Sequence, residues 1–421
     1  MMPPTSTPPL KILYVVYWGA AEPLGQSLVL PAIKKLAASN VNLTLVTFEK
    51  PADLTNQALI ADIRSSLEQL GVEWIALRYH QQPKVAFDFL QGLSRAFVIG
   101  LRLRPDIVHA RTFIGGLIGL FLAPLLRAKL IYHNEGFFPD EQVDGGVWKK
   151  GSAIHKVFKF LEQQMYARAD GIIALSHRAK EIIAKLPHVI RKNTPVIVVP
   201  SCVDLLHFRP THSAPSIKEN GLRLIYIGSV GRRYWLDKVG RFVAVAAEEI
   251  ENVHLQVLSR MEKSLVASML ATGGLAERNW SYDCVPHTVI PEHLAQQHAG
   301  LFFLSQGLSE HGCSPTKIGE YWACGLPVIT TPNVSDTDEI IRRERVGVVV
   351  EAHTDEAYLK AFYELMKLLA DPELSQRCRQ AAEKHYSLDS ACERQLQLYQ
   401  SVSMEITQVE IPTSISEMRD R

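Results

Sequence analysis

The sequence is poor in the features that narrow a function fastest. Its six cysteines stand at 202, 284, 313, 324, 378 and 392, and no pair is spaced as C-x-x-C. A disulfide framework or a zinc site is therefore not expected, and no metal ligand set is assigned. Isolated cysteines of this kind suit a reducing cytoplasm. Strong charge of either sign is missing too: 45 Lys and Arg oppose 44 Asp and Glu, for a net +1. Bulk nucleic-acid binding needs a strongly basic face, so that class is disfavoured, although local basic patches are not. Long apolar runs are absent. The most apolar stretch, residues 113–126, ends at Arg127 and Lys129 and falls short of the ~20 residues a membrane span needs. It reads as a buried helix followed by a strand, and no transmembrane segment is expected. Residues 1–9 lack the charged and apolar regions of a signal peptide and read as disordered. The turn after the first apolar run holds no G-x-G-x-x-G, which weakens a dinucleotide-dependent dehydrogenase. No short-period repeat is present.

What is present is alternation. A chain of 421 residues exceeds one ordinary core. Its 47% hydrophobic and 21% charged residues are those of a soluble globular protein. Apolar, β-branched runs at 11–17, 42–48, 73–77, 106–109, 129–133, 171–175 and 195–199 are separated by helix-length segments. The pattern pauses at 200–210, PSCVDLLHFRP, and restarts with runs at 222–228, 253–258, 300–304, 326–330 and 346–350. Such alternation implies parallel strands with right-handed crossovers. The expected fold class is α/β, with two Rossmann-like, doubly wound domains facing across a cleft. The expected boundaries are 10–205 for the first domain and 206–402 for the second, with closing helices at 355–369, 372–385 and 388–402. A polar, mobile tail is expected over 403–421.

Ligands in such sheets bind beyond the carboxyl ends of the strands, with phosphates at helix N-termini. The richest segment there is EHGCSPTKIGEYWACGLPVITTP, residues 310–332. Ser314 suits an N-cap, Pro315 the first helical position and Gly325 a helix stop, predicting a helix over 315–324. Gly312 and Cys313 precede it in a loop whose N–H groups can face a diphosphate. Lys317 and Glu320 share a face. A carboxylate at 320 could accept from ribose hydroxyls; the plain alternative is a solvated Lys–Glu pair. His109 ends the fourth apolar run and Arg111 follows it; a histidine there either enters the cleft or is satisfied inside the core. Basic and aromatic residues gather at Trp148, Lys149, Lys150, His155, Lys156, Phe158, Lys159 and Phe160. They form either a solvated helix face or a peripheral contact with anionic lipid.

The string SPTKIGEYWACGLPVI resembles the donor-binding motif of the retaining family-four glycosyltransferases, which have the GT-B fold. RPDIVHAR at 104–111, ADGIIALS at 169–176 and the 200–210 segment resemble other parts of those enzymes, so the likeness covers most of the chain. It implies transfer of a hexose from a nucleoside-diphosphate sugar to a glycan, lipid-linked or polysaccharide-precursor hydroxyl. It also implies retention at the anomeric carbon, no metal or other cofactor, and a cytoplasmic enzyme, with or without peripheral membrane contact. In the family an Arg and a Lys five residues later neutralise the diphosphate; Arg233 and Lys238, after Gly228, have that spacing, with Arg232 as the alternative arginine. The family's second glutamate carries over to Glu320. Its first, eight positions earlier, falls on Gly312, so its sugar contact passes to Glu310 only if the loop carries an insertion. The resemblance also places Gly19, Gly25, Arg111 and Glu135, with Asp140 nearby, on the acceptor side, and His287 beside the nucleobase. Two rival readings stay open: a catalytically silent GT-B-like binding or scaffold protein, and a same-fold sugar epimerase or phosphorylase.

Overall fold

In strands buried on both faces, side chains need not alternate, and apolar runs become continuous. That is how β1 (Leu10–Val16) is built: it is buried from Ile12 to Val16. The structure, a computed structural model, describes residues 8–80, 84–210, 216–231 and 233–409. In it, β1 joins β2 (Val41–Glu49), β3 (Glu73–Arg78), β4 (Ile107–Arg111), β5 (Lys129–His133), β6 (Gly171–Ala174) and β7 (Val196–Val198) in one parallel sheet of order 3-2-1-4-5-6-7. Tyr14 sets the register, paired with Leu45 on one side and His109 on the other. A second parallel sheet holds β8 (Arg223–Ile227), β9 (His254–Leu258), β10 (Trp280–Asp283), β11 (Ala299–Phe302), β12 (Val328–Thr330) and β13 (Gly347–Val349), in order 10-9-8-11-12-13. The winding reverses between β1 and β4, and again between β8 and β11. Each reversal opens a crevice at the carboxyl ends of those strands.

Strand β10 was not legible in the sequence. Its four residues, WSYD, alternate half-buried and exposed at the sheet edge, so no apolar run marks them. The other strands fall within one or two residues of expectation.

The two domains meet where the chain crosses twice. Val203 forms a parallel bridge with Ser387, and its N–H donates to the Tyr386 carbonyl at 3.0 Å. Outgoing and returning strands are thus tied side by side. The last helix, Leu388–Val409, sets Ala391, Cys392, Leu398, Tyr399 and Val402 into the core of the first domain. The closing helix expected over 388–402 thus returns to the first domain, where its apolar stripe joins the core, and it continues to Val409. The remainder of the expected tail, 410–421, and residues 1–7 lie outside the described residues. Among the described residues, no helix is long and apolar enough to cross a membrane. The apolar helix Phe113–Leu126 packs instead between the first sheet and its neighbours, with Ile118, Leu122 and Ala123 in one core cluster and Phe113 and Leu120 in another.

Candidate active site at the domain cleft

The crevice of the second sheet opens between Tyr226 on β8 and Phe302 on β11. Lys317 reaches it from the helix Thr316–Ala323. Its ammonium stands 5.2 Å from the ring centre of Tyr226, 4.9 Å from that of Tyr234 and 5.2 Å from that of Phe302. Gly228, at φ +127°, makes room: a Cβ there would lie 2.7 Å from Lys317 Nζ. Burial pulls the Lys317 pKa down to about 8, against the opposing charge of Glu320. The solvated Lys–Glu pair is therefore excluded: Lys317 is 7% and Glu320 5% exposed.

The start of this helix differs from expectation. Ser314 does not cap it. Its Oγ accepts the N–H of Ser201, 3.0 Å away across the domain junction, so it is not available to the first turn. Pro315 keeps an extended ψ of 122°, and the helix begins one residue later, at Thr316. Gly312 is packed against the other domain, where a side chain would meet Phe137 at 2.9 Å.

Glu320 faces His287, with Oε1 2.8 Å from Nε2. Burial lowers the histidine pKa, but the hydrogen bond and charge of Glu320 outweigh it and the net shift is upward. His287 also lies 5.2 Å, ring to ring, from Phe208 in the interdomain segment. Two residues singled out separately in the sequence are thus one pair.

Arg233 bridges the cleft. Its Nη1 is 2.8 Å from Oε1 of Glu141, on the first domain's helix Phe138–Asp144. Its Nε is 3.5 Å from Glu310 Oε1, near enough for charge contact but not aligned for a hydrogen bond. Burial disfavours the charged guanidinium; Glu141, Cys313 and Glu310 more than restore it. Cys313 Sγ lies 3.1 Å from the Glu310 carbonyl oxygen, and burial lifts its thiol to about 12. Lys238 is not part of the cluster. Its side chain is 44% exposed in the first turn of the helix Leu236–Glu249, 3.6 Å from Asp237. Arg232 lies outside the described residues.

Glu310 does not open into the cleft. It is fully buried and accepts from Ser305 Oγ at 2.7 Å, Gly307 N at 3.0 Å and Ser309 Oγ at 2.9 Å. This carboxylate closes the short helix Leu308–Gly312 on itself, as a residue of the first helical turn does when it binds the preceding N–H.

His109 is a core residue. It stacks on Tyr14 with ring centres 4.0 Å apart, lies 2.8 Å from the Tyr399 hydroxyl and 3.2 Å from His133 Nδ1. Burial and the Arg111 charge hold its pKa well below the ordinary value, so it is neutral and structural. Arg111 is buried too; it pairs with Glu135 and lies over the Trp18 ring at 5.4 Å. Asp140 is engaged by Lys159 at 2.8 Å. Gly19 and Gly25 are close-approach points: a Cβ on Gly25 would sit 1.9 Å from the Gly19 carbonyl oxygen, and one on Gly19 would sit 2.7 Å from Glu49 Oε2 at the end of β2. The loop amides are taken by two carboxylates that sequence reading missed. Glu22 accepts from Gly19 N at 3.1 Å, and Glu49 from Ala20 N at 2.7 Å and Ala21 N at 3.1 Å. Glu49 carried a signal, a lone charge ending an apolar strand. Among the described residues, no group of three or more His, Cys, Asp or Glu is placed to hold a metal ion.

Comparison with known proteins matches this geometry to a family. Residues 28–202 match the glycosyl transferase 4-like domain, and residues 210–385 match glycosyl transferases group 1. No curated protein sequence matches the chain significantly. Among solved structures, sucrose-phosphate synthase from Thermosynechococcus elongatus is similar at TM-score 0.69 and 14% identity, over 94% of this chain and all of that one. Anabaena HepE in complex with UDP-glucose is similar at 0.61 and 13%, over 95% and 100%. A UDP-N-acetylglucosamine 2-epimerase is similar at 0.59 and 14%, over 97% and 100%. Likeness at such identities shows the fold alone, which transferases and epimerases share. The domain matches decide between them, because both halves match transferase domains, in order and meeting near the observed crossing. The chain belongs to the glycosyl transferases group 1 and is a glycosyltransferase of the GT-B fold.

Proposed function

We propose that this enzyme transfers a glycosyl group from a nucleoside-diphosphate sugar to a glycan or lipid-linked acceptor hydroxyl, with retention at the anomeric carbon and without a metal. The observation that carries this reading is Lys317: a buried cation among three rings, at the carboxyl ends of β8 and β11. A departing nucleoside diphosphate gains negative charge, and fixed cations in a water-poor site stabilise it far better than in bulk water. Lys317 and Arg233 fill this role, with the loop 312–315 beside the phosphates. Glu320, the pair partner of His287, is suited to ribose hydroxyls, since a carboxylate accepts from hydroxyls and repels phosphate.

Of the carboxylates expected near the sugar or the acceptor, Glu310 is buried and hydrogen-bonded and Glu135 is bound to Arg111, so neither is a free nucleophile. This supports a front-face route, in which the leaving phosphate takes the acceptor proton and rate comes from positioning and electrostatics. The HepE complex with UDP-glucose supports a nucleotide-sugar donor.

Glu310's enclosure favours one second reading, a silent member of the fold. A thermal-shift screen against nucleoside diphosphates, followed by NMR of each hit's sugar donor with and without acceptor saccharides, separates the readings. Stabilisation by a nucleoside diphosphate with transfer in the α or β configuration of the donor supports the proposal. Stabilisation without turnover supports the silent reading. A remade sugar with no acceptor present overturns both in favour of an epimerase.

A further inference from the structure

The first domain carries three adjacent helices on one face of its sheet: Val85–Leu103, Phe113–Leu126 and Ala153–Arg168. Ring contacts join them in a row. Phe89 meets Phe121 at 5.9 Å, and Phe113 meets Phe158 at 5.4 Å. The first helix buries Asp88, Gly92, Ala96 and Gly100, a stripe of four-residue spacing. On its opposite side Phe87, Leu90, Val98 and Leu101 face solvent, Leu90 at 61% and Val98 at 66% exposure. The central helix adds Phe121 and Leu125, and the third adds Ile154, Val157 and Phe160. Large apolar side chains scattered singly need no explanation, but a band across three neighbouring helices does.

The charges on these helices are sorted. Both acidic residues, Asp88 and Glu162, are buried. The exposed charges are Arg95, Arg102, Lys156 and Arg168, with Lys84, Arg104, Arg127, Lys149 and Lys150 at the helix ends. Of these, Arg102 is answered by Glu73. The basic–aromatic cluster read from the sequence is therefore partly inward. Lys159 is committed to Asp140 and Glu162, and Trp148 and Phe158 pack on each other at 4.8 Å. The outward part is Lys149, Lys150, Lys156 and Phe160, and it continues the band on the other two helices.

We propose that this three-helix face docks on an anionic lipid bilayer, with its apolar side chains entering the acyl boundary and its lysines and arginines at the headgroups. A second copy of the chain fits less well: face-to-face pairing would set like charge against like. A bilayer supplies both an apolar layer and a negative surface, which matches the composition of the face. The helix Phe138–Asp144, whose Phe138 packs on Phe158 and whose Glu141 holds Arg233, connects the face to the cleft.

The test is flotation of the full chain with phosphatidylcholine vesicles, with and without phosphatidylglycerol. It needs no donor, acceptor or turnover, so its result is independent of the transfer reaction. The wild type should float with the anionic vesicles, with binding weakened by salt. Leu90→Ser with Val98→Ser, and separately Val157→Ser with Phe160→Ser, should each reduce binding roughly tenfold or more while the melting temperature holds, since all four are exposed. Lys149→Ser with Lys150→Ser and Lys156→Ser should reduce binding to anionic vesicles and its salt sensitivity together. Absence of flotation, equal flotation with neutral vesicles, or flotation unchanged in all variants overturns the proposal. So does a wild-type dimer in sedimentation velocity that the same apolar substitutions dissociate.

Discussion

Glu320 and His287 form one unit, 2.8 Å apart, although 33 residues separate them in the chain. The histidine pKa is raised in the native state. A raised native value means that the pair's stabilisation is full below the unfolded value of 6.5 and is lost as pH rises through the native one. The melting temperature of wild type should therefore exceed that of His287→Asn at acidic pH, and the gap should close on the alkaline side. A constant gap across pH 5 to 9 (about the histidine range) would refute the linkage. Glu320 itself should show graded effects on transfer. Glu320→Gln keeps the shape and loses the charge; Glu320→Ala loses both and should be worse, by about 1.5–3 kcal/mol in donor use. Full transfer by Glu320→Ala would remove it from the site.

Lys317 should make donor binding pH-dependent. Its pKa of about 8 rises when a diphosphate arrives, because opposite charge favours the protonated form. Nucleoside diphosphate affinity should fall by up to about tenfold per pH unit above this value. Calorimetry in two buffers of different ionisation enthalpy should detect proton uptake on binding near pH 8.5 (roughly half a unit above the free value). Lys317→Met should abolish that uptake and cost about 1.5–3 kcal/mol of affinity. Flat affinity with no proton uptake would sink the assignment.

Gly228 and Lys317 should couple. Gly228→Ala places a Cβ 2.7 Å from Nζ at a φ of +127°, so backbone strain of about 1–3 kcal/mol adds to a displaced lysine. In a double-mutant cycle on nucleoside diphosphate affinity, Gly228→Ala should lose most of its effect in the Lys317→Met background. Additive losses would mean that the glycine does not act through the lysine.

Arg233 and Lys238 should separate. Arg233→Ala leaves Glu310 buried without its cation and should cost about 1–3 kcal/mol of stability as well as donor affinity. Arg233→Lys should rescue little, since an ammonium cannot reproduce the fork between Glu141 and Glu310. Lys238→Ala, half exposed, should change stability by no more than about 0.5 kcal/mol. If its donor affinity is also unchanged, the diphosphate charge rests with Arg233 and Lys317; a tenfold loss would restore the pairing read from spacing.

Arg178 should govern how tightly the domains hold together. From the first domain it reaches Asp338 at 2.8 Å, Glu339 at 2.8 Å and the Ser335 carbonyl at 3.0 Å, while the His177 N–H donates to Asp336 at 2.7 Å. Arg178→Ala should lower the melting temperature and increase the radius of gyration in X-ray scattering. Both carboxylates, Asp336 and Asp338, have depressed pKa values. Their contribution is therefore present above the ordinary value of 3.8 and is lost as pH falls through the native ones. Unchanged scattering and melting would show that the clasp is incidental.

Every strand but β10, the pause in the pattern near Val203 and the helix stop at Gly325 were legible in the sequence alone. These depend on local periodicity and turn chemistry, which act over a few residues and survive without a fold. The sequence also singled out Lys317, Glu320 and Arg233 through motif spacing, and His287 through the resemblance of its segment. Only the tertiary structure decided what each one faces. Glu310, Glu320 and Glu49 are the same kind of carboxylate. One caps its own loop, one pairs with a histidine from another loop, and one holds amides 28 and 29 residues away. His109 is expected at the end of its strand but lies in the middle of β4, and Tyr399, 290 residues on, folds back over it and makes it core. Lys317 and Lys238 differ in burial, and hence in pKa and role, for reasons that lie on strands remote from both. A charged side chain takes its function from the dielectric and the partners around it, and those are assembled by contacts far apart in the chain.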